Sequence, residues 1–254
     1  MSASRVVYLQ PRNRPEALAP DAPRVITAFG AALLRAPPKP PGIAACVAYL
    51  QETAEQLQSR QMGVRALQNM RSALFSAPGR EPEMALLWRE ALATACFARV
   101  VAVHTRFDAP LLTGAGLLHR TGEIAALRAL AQAEQQAGQR LVGPVMHEIM
   151  EARDDELVAR VTRSWSLPGE LRLLILRWRA EQNQLQPPES VSLLTMAQAL
   201  ATELVHAATC TPGLVEAARD AMKLPQLLVE QARAATAGID ALLAQLAPMP
   251  VTQD

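Results

Sequence analysis

Gly116-Leu117-Leu118-His119-Arg120-Thr121-Gly122 lies where two helical patterns meet, a short one from about Pro110 to His119 and a longer one from Gly122 to Gln136. Upstream, Leu87-Trp88-Arg89-Glu90 falls in a helical run expected from Met84 to Thr105. The neighbours His119 and Arg120 decide what chemistry this junction can support. A divalent ion is held by neutral imidazoles and anionic carboxylates, which supply lone pairs and compensating charge. A guanidinium supplies neither. Placing a unit positive charge where a negative one belongs, about 5 Å from a dication, costs roughly several kcal/mol even at an effective dielectric of about 20.

Outward from this junction the chain reads as helix throughout. Prolines at 11, 15, 20 and 23 mark residues 1–22 as a short disordered leader. A helix from about Arg24 to Arg35 ends at Pro37-Pro38-Lys39-Pro40-Pro41-Gly42, a stiff connector. Helical spacing resumes at Ile43 and again from Val64 through Leu74, after Gly63, and Ala77 to Pro82 breaks the chain before the Met84 helix. Beyond Gly138, helices are expected near Pro144–Ala152, Asp154–Trp165 and Pro168–Gln184. Ser190 is placed as the cap of a helix running to about Thr209, Thr211-Pro212 as a hydroxyl cap with proline at the first helical position, and a last helix from Pro225 to about Leu246. No alternating β-branched run is long enough for a strand, so the fold class is all-α.

Composition narrows the function classes. Half of the 254 residues are hydrophobic and 19% are charged, with a formal net charge of +1. Such a balance gives no field to attract nucleic acid or an anionic membrane. No apolar run reaches the length of a membrane span. Cys46, Cys96 and Cys210 are dispersed and odd in number, which argues against a disulfide framework and a zinc site and makes the cytoplasm the expected compartment.

Four anchors in order resemble the HDOD family, helical regulatory relatives of HD-type phosphohydrolases in bacterial signalling proteins. Leu67-Gln68-Asn69-Met70-Arg71-Ser72-Ala73-Leu74-Phe75 is similar to the family's leucine-rich stretch, with Arg71 where asparagine is expected. Leu87-Trp88-Arg89-Glu90 resembles its Trp-Arg-His-Ser helix start with Glu90 replacing histidine, Asp108 to Gly122 resembles the segment with the His-Asp pair, and Ser164-Trp165-Ser166-Leu167-Pro168-Gly169-Glu170-Leu171 resembles the turn into the following helix. The resemblance implies a compact multi-helix domain over 23–248, with a smaller N-terminal helical part at 23–83 and an HD-like part at 84–248.

Carried over position by position, the metal-ligand places of the catalytic relatives fall on Glu90, His119, Arg120 and Gln198. Only His119 remains a good ligand among them, so the resemblance implies a degenerate cleft with no catalytic residue, no resident metal and no cofactor. Glu90 and Arg120, opposite charges at two former ligand positions, are expected to pair directly. The implied role is a non-catalytic bacterial regulatory domain whose partner is a signalling protein or a nucleotide-like ligand. The alternative is a residual metal-dependent phosphohydrolase acting on a nucleotide or cyclic dinucleotide. A third possibility is a nucleotide-binding module without turnover, in which Arg120 and His119 contact phosphate.

The remaining candidates read as structural. His104 and His147 have no partner at ligand spacing, and His206, between Val205 and Ala207 in an apolar helix, is expected as a satisfied structural histidine. Glu148, Glu151, Asp154, Asp155 and Glu156 fit a solvated helix junction. Trp88, Trp165 and Trp178 are expected as core anchors, and Arg172, Arg177 and Arg179 as the wet edge of a helix whose leucines face inward.

Overall fold

The computed structural model describes residues 60–138, 140, 157–182, 184 and 186–246, with side chains from residue 67 onward, and every regular element among them is an α-helix. In chain order these are α1 (Arg60–Leu74), α2 (Glu81–Thr105), α3 (Ala109–Leu118), α4 (Thr121–Ala137), α5 (helical over 157–164), α6 (Gly169–Glu181), α7 (Glu189–Val205), α8 (Leu214–Met222), α9 (Gln226–Ala234) and α10 (Thr236–Gln245). The leader, the Pro37–Gly42 connector, the helices expected at 24–35, from Ile43 and at 144–152, and the acidic group from Glu148 to Glu156 lie outside the described residues.

Helix α2 is the axis of the fold. It is buried over most of its circumference, from Met84 through Trp88, Ala91, Ala93, Ala95, Phe97 and Ala98 to Ala102. A helix apolar all round belongs in the interior. Its alanines let neighbours come close, and α3, α4, α7, α9 and α10 all pack against it. Helix α7 is the second interior helix, buried at Val191, Leu193, Leu194, Met196, Ala197 and Leu200, and it touches α2, α3, α6 and α8. Trp88, Trp165 and Trp178 are 2%, 1% and 2% exposed, as core anchors should be.

The tightest packing is between α2 and α3. A Cβ built on Gly116 would stand 2.9 Å from the Ala95 Cα and 3.0 Å from the Ala95 N, so only glycine allows this approach of two backbones. Turn geometry brings α3 back along α2. Arg106 ends α2 in the left-handed region at φ 59°, and Asp108 caps α3 by accepting from the Leu111 N–H at 2.8 Å.

Polar groups tie the helix ends. Arg80, just before α2 and only 1% exposed, forks onto Glu134 of α4 and also donates to Glu83 Oε1 at 2.8 Å. Arg128 of α4 donates to the carbonyl oxygens of Ala73 at 2.8 Å and Leu74 at 3.3 Å, closing the end of α1. Arg71 of α1 does the same for Leu246 at 3.0 Å, joining the first and last described helices.

Several expected boundaries are corrected. Helix α1 runs through Gly63, and α2 begins at Glu81 with Pro82 in its first turn, where a missing N–H costs nothing. Helix α7 starts at Glu189 behind Pro188, without a side-chain cap from Ser190, and ends at Val205. Gly213 at φ 78°, and not Thr211, precedes α8. The single helix expected from Pro225 is two, broken at Ala235, whose N–H bonds back to Ala232 in a tight turn of three residues.

Gly116→Ala should destabilise the fold by about 1–3 kcal/mol through overpacking against backbone. Gly114→Ala, whose new methyl would meet only the Leu171 methyls at 3.5 Å and 3.6 Å, should be neutral or stabilising by up to about 1 kcal/mol; chemical denaturation of both variants checks the pair. Arg80→Met, which removes one buried partner of Glu134, should cost about 3–5 kcal/mol, and adding Glu134→Leu should recover much of that loss in the same assay.

Candidate functional site

The approach at Gly116 sets the geometry of the site. Because α3 runs back along α2, the residues after Gly116 come level with the residues before Thr94, and the α3–α4 junction faces Glu90. Arg120 pairs there with Glu90 of α2 through Nη1. The same guanidinium grips Glu123 in the first turn of α4, with Nε donating to Oε1 at 3.0 Å and Nη2 to Oε2. The other carboxylate oxygen of Glu90 meets Nε2 of His206, the residue that ends α7. One network therefore joins α2, the α3–α4 junction and the end of α7.

Burial and the positive charges of Arg120 and Arg89 hold the His206 imidazole below its ordinary range. A carboxylate can only accept, so the His206 Nε2–H donates and Glu90 accepts. Both members of the central pair are partly shielded, Arg120 at 25% and Glu90 at 13% side-chain exposure. Glu90 gains further rigidity from its own backbone, whose carbonyl accepts from the Thr94 hydroxyl at 2.8 Å.

His119 stands apart from this network. It is 2% exposed, its Nδ1–H donates to the Gly116 carbonyl at 2.7 Å, and its ring meets Trp178 edge to face at 5.1 Å. Its Nε2 is buried with no hydrogen-bond partner among the described residues. Burial pushes its pKa down to about 4. A neutral imidazole sealed in the core is poorly placed to meet a phosphate from solution. Gln198 lies partly buried on α7, two turns before His206.

The four positions expected from the resemblance therefore make a poor metal site. Glu90 is already neutralised by Arg120, Arg120 is itself a cation, and Gln198 offers an uncharged amide. Among the described residues no group of three or more His, Cys, Asp or Glu side chains could hold an ion. The structure brings Glu90 and Arg120 together, as their opposite charges imply, and adds Glu123 and His206. Glu123 had a local signal, because an acid three residues after Arg120 shares its helix face. His206 had none: 116 residues separate it from Glu90, and its apolar neighbours masked the contact.

His119 gives stability a definite pH dependence. Its folded value lies below the 6.5 of an unperturbed imidazole, so the unfolded chain binds the extra proton between pH 6.5 and about 4, and stability falls as pH drops through that window. The loss should be roughly 3 kcal/mol by pH 4, and His119→Gln should flatten that stretch of a plot of unfolding free energy against pH. For the network, Arg120→Ala should cost about 1–3 kcal/mol because it leaves Glu90 with His206 alone. Arg120→Ala combined with Glu90→Ala should cost less than the single change; a double mutant no better than the single would mean that the pair carries no coupling.

Searches of curated proteins and of solved structures return no match. The HDOD domain matches residues 46–180, more than half of the chain, and that segment takes in Glu90, His119, Arg120 and Glu123 while α7 to α10, with Gln198 and His206, lie beyond it. This chain belongs to the HDOD domain family.

Proposed function

We propose that this protein is a non-catalytic regulatory domain of bacterial signal transduction, acting in the cytoplasm by binding a protein or a small ligand at the surface around Glu90, Arg120, Glu123 and His206. The observation that carries this reading is the pairing of Arg120 with Glu90, which ties up a carboxylate that metal-dependent hydrolysis would use and puts a fixed cation beside it. The surface proposed here reaches past the matched segment to His206, which joins the network from outside residues 46–180. No helix among the described residues is long and apolar enough to cross a membrane.

The test is thermal unfolding with Mn²⁺, Mg²⁺, Zn²⁺ or EDTA, each with and without mononucleotides and cyclic dinucleotides, alongside a phosphodiesterase assay. A ligand present at a hundred times its dissociation constant stabilises by about 2.7 kcal/mol, a visible shift in midpoint. The expected result is no metal-dependent shift and no product. Metal-dependent hydrolysis that disappears in His119→Ala would establish a residual phosphohydrolase instead, and a shift with nucleotide alone would identify the bound partner as a nucleotide.

A further inference from the structure

Helix α6 is held to the core by one face. Leu171, Leu174, Ile175 and Trp178 are buried, and the Trp178 indole N–H donates to the Thr195 hydroxyl of α7 at 3.1 Å. Its outer face carries Glu170, Leu173 and Arg177, which at spacings of three and four residues form one stripe. Leu173 is 62% exposed and the Arg177 side chain 58%. Arg177 reaches only loosely toward Glu181, at 3.9 Å, and Glu170 is exposed.

The other exposed large apolar side chains have different company. Val103 of α2 lies between two cations, Arg99 and Arg106. Leu86 follows Glu83, which is occupied by Arg80 and Arg140. Leu227 precedes Glu230, which accepts from Gln226, and the base before it, Lys223, lies outside the helix. Among these four, Leu173 alone has a loosely held acid one turn before it and a loosely held base one turn after it on a single helical face.

That order is self-complementary. When two copies of α6 lie antiparallel across a two-fold axis, the midpoint between Glu170 and Arg177 falls beside Leu173. The acid and base are about 10 Å apart along the helix, so each Glu170 comes level with Arg177 of the second copy while the two leucines meet in the middle. A two-fold interface repeats each contact, giving two identical ion pairs around one apolar contact. A parallel arrangement would set like charges opposite each other.

We propose that the outer face of α6 is a homodimer interface, with Leu173 packing on Leu173 of a second copy and Glu170 pairing with Arg177 in both directions. The area offered by one helix face is small, so the dimer is weak and reversible, with a dissociation constant on the order of 100 µM.

Sedimentation equilibrium of the full chain across micromolar to submillimolar concentrations tests it, with circular dichroism melts to show that each variant is folded. The wild type should shift from monomer to dimer with concentration. Glu170→Arg and Arg177→Glu should each weaken association by about tenfold, because each sets like charges opposite one another twice. Mixed together, these two variants should associate at least as well as the wild type, since both pairs become attractive again. Leu173→Ser should weaken all of these dimers. A wild type that stays monomeric overturns the proposal, as does a dimer that the single charge changes leave intact, or a mixture that fails to associate.

Discussion

The backbone contact of α3 with α2 at Gly116 is the constraint on which the site rests. Two helices carrying ordinary side chains keep their axes 8–10 Å apart, and an approach in which a single methyl would strike the Ala95 backbone is open only to glycine. Once that contact is made, the turn after α3 has little freedom. His119 is driven into the core against Trp178, and Arg120 is delivered to Glu90. The alanines of α2 serve the same end, because a helix surrounded by five others must present small side chains where they cross.

A guanidinium in this position does work that differs from a metal ion's. A metal draws its ligands into one coordination sphere and binds or leaves with conditions, whereas Arg120 is tethered, permanently charged and able to hold two carboxylates in fixed directions. Its contacts with Glu90 and Glu123 fix the entry of α4 relative to α2. The net stability gained is small, since removing charges from water offsets most of their attraction. What the network supplies is orientation, and His206 extends that orientation to the end of α7.

The sequence made the helices legible because burial imposes a period, and α2, α3, α4 and α6 stand close to where the apolar spacing puts them. The three tryptophans were legible for the same reason. Caps were not: Ser190 and Thr211 have the right hydroxyls, yet Pro188 and Gly213 set the backbone at those helix starts. The break at Ala235 leaves no mark in a run of good helix formers. Within the site, Glu90 and Arg120 stood out because opposite charges replaced expected ligands, while the partnership of His206 with Glu90 depends on a tertiary fold that brings distant segments together.

That distant partnership bears on what the HDOD segment can be by itself. Residues 46–180 contain α2 but not α7, which covers α2 along much of its length. Cut at residue 180, the chain would expose α2 alanines and leucines to water and would leave Glu90 without its imidazole donor. Helices α7, α9 and α10 all pack on α2, and Arg233 of α9 bridges Glu203 of α7 and Glu216 of α8. The C-terminal helices are therefore bound both to the axis of the fold and to one another. A partner that drew Arg120 away from Glu90 would change the setting of His206 directly, and the end of α7 is where these helices begin. The charge network thus joins the HDOD segment to the helices that follow it through direct side-chain contacts.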